Sequence, residues 1–96
     1  MEIEVTDKAV AWFKKELDLT DGEAVQFFVR YGGHGDFQTG FSLGVTKKDP
    51  EDPAVETTKD NIQFYIENKD IWYFDGKNFL VEYNEDREEI VYKHNN

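Results

Sequence analysis

Phe28-Val29-Arg30-Tyr31-Gly32-Gly33-His34-Gly35-Asp36-Phe37-Gln38-Thr39-Gly40-Phe41-Ser42-Leu43 decides the fold of this chain. Upstream, Val25, Phe27 and Val29 fall on every second position. Downstream, Phe37, Thr39, Phe41, Leu43 and Val45 alternate with Gln38, Gly40, Ser42 and Gly44. A period of two is the signature of a strand with one face turned to a core. Gly32, Gly33 and Gly35 stand between the two runs and let the chain turn sharply, with His34 at the tip. The segment therefore reads as strand, glycine loop, strand. The second strand has one apolar face and one almost bare face. The bare face predicts that something packs closely over it or that the strand bends there.

Outward from this hairpin, one helix and several short strands are expected. Thr6 is placed to N-cap a helix over 7–17, with Asp7 at the positive end of its dipole. Ala9, Phe13 and Leu17 give that helix its apolar stripe, and Val5 reads as a staple residue against Ala9 or Val10. Residues 47–52 are charged, and with Pro50 and Pro53 bracketing Glu51-Asp52 they read as a mobile loop. Residues 54–58 read as a short edge strand, and 61–67 as a strand with Ile62, Phe64 and Ile66 inward. A helical turn over 68–74 is expected to tuck Ile71, Trp72 and Phe74 into the core. Asp75-Gly76 marks a tight turn before a strand carrying Phe79, Val81 and Tyr83, and 89–93 pairs back as the last strand. The sum is mainly β, α+β by content. It predicts a single domain over 1–96, an antiparallel sandwich or partly closed barrel with one N-terminal helix. No βαβ pattern supports a doubly wound nucleotide fold.

Composition bounds the chemistry. The 96 residues hold 11 Lys and Arg against 21 Asp and Glu, for a formal charge of −10, and no cysteine. Without cysteine there is no disulfide, no thiolate nucleophile and no thiolate metal site. The negative charge repels phosphate backbones and argues against nucleic acid, while it favours cations and basic partners. No apolar run is long enough for a membrane span, and Met1-Glu2-Ile3-Glu4 lacks the start of a signal peptide, so a cytoplasmic location is expected.

The glycine loop is the first candidate site. Gly32, Gly33 and Gly35 with their backbone N–H groups could form a small anion nest, and Gln38 and Gly40 extend the same surface. The loop lacks the Gly-Lys-Ser/Thr ending of a P-loop and leads into a strand rather than a helix. A wide hairpin turn with His34 in solvent is the plainer reading. His34 and Asp36 supply a nitrogen and an oxygen ligand suited to iron or zinc, but one His does not make a metal site. His94 would join only if the C-terminus folded back. Asp49, Glu51, Asp52 and Glu56 lack the spacing of a calcium loop and read as a solvated charge run. Ser42, His34 and Asp36 have no oxyanion logic, so no catalytic constellation is recognised and no enzyme activity is expected. Trp12, Trp72, Tyr73 and Phe74 read as core or core-edge aromatics, with surplus aromatic surface able to form a homodimer contact.

These residues together resemble a known family. Val5-Thr6-Asp7-Lys8-Ala9 resembles the helix start of the HesB-like proteins, the A-type iron–sulfur carriers and their relatives. The segment from Phe28 to Leu43 resembles that family's glycine-loop motif, and Asn61-Ile62-Gln63-Phe64-Tyr65-Ile66 and Asp75-Gly76 fall where it has a strand and a turn. The resemblance implies a compact β-rich fold with one N-terminal helix. It also implies carriers that hold iron or a cluster through three cysteines, one in the glycine loop and two in a Cys-x-Cys near the C-terminus. Here the loop position is His34, followed by Gly35 and Asp36, and the Cys-x-Cys is missing. No cluster can be held by cysteine ligation. The expectation is an outlying HesB-like protein with, at most, weak Fe or Zn binding at His34 and Asp36. The alternatives are a protein-interaction module on the same scaffold, docking a partner through 32–40, and a small-molecule binder lined by Gly40, Ser42 and Gly44.

Overall fold

A computed structural model describes the backbone of residues 1–34 and 39–95; side chains are described through Gly32 and from Gly40 to His94. In chain order the elements are β1 (Ile3–Val5), α1 (Asp7–Glu16), β2 (Ala24–His34), β3 (Thr39–Lys47), β4 (Pro53–Lys59), β5 (Ile62–Glu67), a 3-10 helix (Asn68–Phe74), β6 (Asn78–Asn84) and β7 (Glu89–Asn95). The strands form two sheets, ordered β1-β6-β7 and β3-β2-β5-β4. The β2–β3, β4–β5 and β6–β7 pairs are antiparallel hairpins, and β1–β6 and β2–β5 are parallel. Neither sheet closes into a barrel, so the sandwich form of the expected fold is the one adopted.

The α1 start follows the sequence. Thr6 Oγ1 accepts from the Ala9 N–H at 3.3 Å, and Ala9, Val10 and Phe13 are buried. Lys59 Nζ reaches across to the Val5 carbonyl and the Asp7 carboxylate, each at 2.8 Å, and so fastens β4 to the β1–α1 junction. Val5 is therefore more than a staple residue. It belongs to a three-residue strand that pairs with Phe79–Val81 of β6.

Phe27 sits where the layers meet. Its ring packs edge-on to Phe13 of α1 and Phe79 of β6, at 5.8 and 5.3 Å between centroids, and stacks on Phe64 of β5 at 6.2 Å. Phe27, Phe64, Phe13, Phe74 and Phe79 are all buried, and rings dominate this interior as they do in other compact cores. The bare face of β3 has the close neighbour the sequence demanded. A Cβ at Gly44 would collide with the Phe28 ring and stand 2.8 Å from Arg30 Cδ, so the side chains of β2 lie directly over the glycine.

Two expectations are corrected. The 47–52 segment is pinned rather than free. The Glu67 carboxylate accepts from the backbone N–H of Glu51 at 2.8 Å and of Asp52 at 2.6 Å. Tyr65 donates its hydroxyl to the Lys48 carbonyl at 2.6 Å, and the Asn68 N–H donates to the Asp52 carbonyl at 2.9 Å. In the 68–74 turn, Tyr73 and Phe74 are buried while Trp72 is half exposed, so Trp72 is not a core residue. The 3-10 helix repeats every three residues, which puts Asp70 and Tyr73 on one inward row and turns Trp72 away from it.

Candidate functional site

Strands β2 and β3 stay paired beyond the stretch where β2 meets β5. Along the core-facing row of β2, Phe27 is fully buried, Val29 is partly buried and Tyr31 is 90% exposed. Strand β2 pairs in parallel with β5 at Ala24–Gln26, and Arg30 and Tyr31 pair with Ser42 and Phe41 of β3. The register shifts between Tyr31 and His34. Gly32 and Gly40 adopt φ of +94° and +86°, the left-handed region in which a side chain is strained. Both glycines thus serve the bend the sequence assigned to them. The backbone of Gly33 and His34 closes β2. Gly35, Asp36 and Gln38 lie outside the described residues, as does the His34 side chain, so the expected iron or zinc site falls there too. Among the described residues no group of three His, Asp or Glu side chains could hold a metal ion. His94 lies on β7 opposite Phe79.

At the base of the hairpin the described side chains build an aromatic patch. Tyr31 packs on Phe41, its cross-strand partner, with centroids 5.4 Å apart. Phe41 meets Trp72 edge-on at 5.2 Å and Tyr73 at 6.5 Å. Trp72, at 50% exposure, and Tyr31 are the exposed large hydrophobics among the described residues, and both rest on Phe41.

Asp70 lies on the same 3-10 helix as Trp72 and Tyr73. It is 9% exposed, its carboxylate accepts from the Val29 backbone N–H, and Oδ2 has no hydrogen-bond partner. Burial pushes its carboxyl above the usual carboxylate range, partly opposed by Lys69. The Asp70–Val29 contact ties the 3-10 helix to β2 beyond the strand's parallel pairing with β5. Elsewhere, burial pushes the Tyr65 hydroxyl up to about 12, helped by the nearby carboxylates of Glu67, Asp49 and Glu51.

Other concavities offer less. One of about 160 Å³ at the β3–β4 loop is lined by Gln26, Lys48, Glu51, Asp52, Glu67 and Lys69, and the Glu67 oxygens there are already engaged by backbone N–H groups. A groove of about 520 Å³ runs between β1 and β4, and one of about 500 Å³ lies between α1 and the β6–β7 hairpin. The face of β3 proposed to line a small-molecule pocket is covered at Gly44 by Phe28 and Arg30.

A compact β-rich fold with one N-terminal helix is what the resemblance implied, and the two-sheet sandwich has that form and carries no cysteine at all. The chain belongs to the iron–sulphur cluster biosynthesis family, the HesB-like proteins, whose model matches residues 1–96. It is 47% identical over 94 residues to a Bacillus subtilis protein named pyruvate dehydrogenase inhibitor, covering 98% of this chain and 99% of that one. It is 43% identical over 95 residues to an uncharacterised protein of Staphylococcus saprophyticus, covering 96% and 97%. In three dimensions it matches a Lactobacillus acidophilus protein provisionally ascribed to Fe-S biosynthesis. That match has a TM-score of 0.53 and 22% identity and covers 97% of this chain and 77% of the other, a likeness of fold.

The sequence offers surplus aromatic surface at Trp72 but does not mark Tyr31, which directly precedes the glycines and closes no full strand period. A signal was present. Tyr31 and Phe41 flank the glycine loop on the same rows as Val29 and Leu43, so an apolar face had to continue past the core.

Proposed function

We propose that this chain is a protein-binding regulator that inhibits pyruvate dehydrogenase. It uses the HesB-like scaffold without the family's cluster chemistry. The observation that carries this reading is the full-length 47% identity to the Bacillus subtilis inhibitor, in a chain that has no thiolate to ligate a cluster. An inhibitor needs a stable surface and no reacting group, and that fits a site built of aromatic rings rather than paired acids and bases. The interaction-module alternative raised by the sequence thus gains a partner, whereas the metal expectation at His34 and Asp36 falls outside the described residues.

The test is direct. The purified protein is titrated into the pyruvate dehydrogenase complex of its own organism, and NADH formation is followed. Inhibition should rise with dose and level off near stoichiometric binding. Protein stripped with a chelator should inhibit as well as untreated protein. Unchanged NADH formation at a large molar excess would remove the reading, and inhibition abolished by the chelator would restore a metal role.

A further inference from the structure

We propose that Tyr31, Phe41 and Trp72 are the surface by which this chain grips pyruvate dehydrogenase, seating in an apolar pocket with a basic rim. This rests on the inhibitor reading above and goes further, by naming the face and the chemistry that receives it.

Three observations converge. The exposed large hydrophobics among the described residues are not scattered: Tyr31 and Trp72 come from different elements and meet on one ring, Phe41. Tyr and Trp are the residue types that dominate interface energetics, because each buries a large rigid surface while fixing few torsions. The patch is also preorganised. Phe41 and Trp72 both touch Tyr73, which is fully buried, and Asp70 anchors the same 3-10 helix to the Val29 N–H. A surface already held in place loses little conformational freedom on binding. Charge then selects the occupant. A second copy would set −10 against −10, whereas a basic face is attracted by the same field. The occupant is therefore a different protein, with an apolar recess for the two rings and Lys or Arg around it.

The experiment compares the wild-type chain with Tyr31→Ser, Trp72→Ala and Trp72→Phe in the pyruvate dehydrogenase assay, alongside circular dichroism and thermal melting of each. Tyr31 is 90% exposed, so Tyr31→Ser keeps the fold and serves as the decisive variant even if Trp72→Ala perturbs it. Tyr31→Ser and Trp72→Ala should each raise the half-inhibitory concentration about tenfold or more, the loss typical of removing a hot-spot aromatic. Trp72→Phe should keep most of the potency. A folded Tyr31→Ser that inhibits like wild type overturns the patch while leaving the inhibitor reading intact. A wild-type chain that does not inhibit removes both. Sedimentation velocity supplies the last arm: a wild-type dimer dissolved by Tyr31→Ser would assign the patch to self-association and overturn the heterologous partner.

Discussion

Asp70 shows how much one carboxylate can be asked to do. It takes the Val29 N–H, and its second oxygen is buried with no partner. The native state therefore prefers the protonated form more than the unfolded chain does, and the folded carboxyl titrates above the ordinary value of 3.8. The sign follows. Above the raised folded value the buried charge costs stability, and that cost is relieved as pH falls through it toward 3.8, below which both states are protonated. Asp70→Asn keeps an acceptor for Val29 and removes the charge. It should raise stability by about 1 kcal/mol at pH 7, the scale of removing a buried charge whose second oxygen lacks a partner. The gain should shrink as pH is lowered toward 4, as read by urea unfolding across that range. A gain that stays constant or grows on acidification would refute the account. Because Asp70 holds the 3-10 helix without touching the outer face of the patch, the variant should inhibit as wild type does.

At the scale of elements, the β3–β4 connection is anchored to the end of β5. Glu67 ends β5, is 5% exposed, and spends both oxygens on the Glu51 and Asp52 N–H groups. Hydrogen bonds to a charged acceptor are the strong ones. Glu67→Ala should cost about 2–3 kcal/mol and should speed hydrogen exchange at Glu51 and Asp52 selectively, with the β6–β7 hairpin unchanged. Slow exchange at those two amides in the variant would show that the loop is held by other means. The sequence could not announce this anchor, because Glu67 and Glu51 are distant in the chain and one more Glu in an acidic protein carries no pattern. Elements with a repeating period were legible: the alternating rows of Phe27 and Val29, of Ile62, Phe64 and Ile66, and of Phe79 and Val81 all face the core as expected. So was Gly44, whose missing Cβ leaves room for Phe28. Features too short for a period were not. Ile3–Val5 gives three residues of strand, and the 3-10 helix turns every three residues, so Trp72 faces outward, contrary to the inward placement its hydrophobicity suggests.

For the whole molecule, net charge and lost ligands bear on the same question. The family resemblance was legible from the glycine loop outward, and so was the absence of every cysteine; the partner was not, because interface chemistry on a sheet face has no fixed spacing. What the composition does supply is a long-range field. A charge of −10 spread over 96 residues steers the chain toward a basic face, and such steering raises association rates without adding contacts. The aromatic patch acts only after contact and governs how long the complex lasts. The two terms separate under salt. Raising ionic strength shortens the Debye length from about 10 Å at 0.1 M to several ångströms. The association rate with pyruvate dehydrogenase should then fall by about tenfold or more between low and high salt, while the dissociation rate changes little. Tyr31→Ser should show the reverse, faster dissociation with a near-normal association rate and the same salt slope. Stopped-flow or surface-based kinetics read both. An association rate that rises with salt would mean that the receiving face is acidic, and the charge argument for the partner would fail.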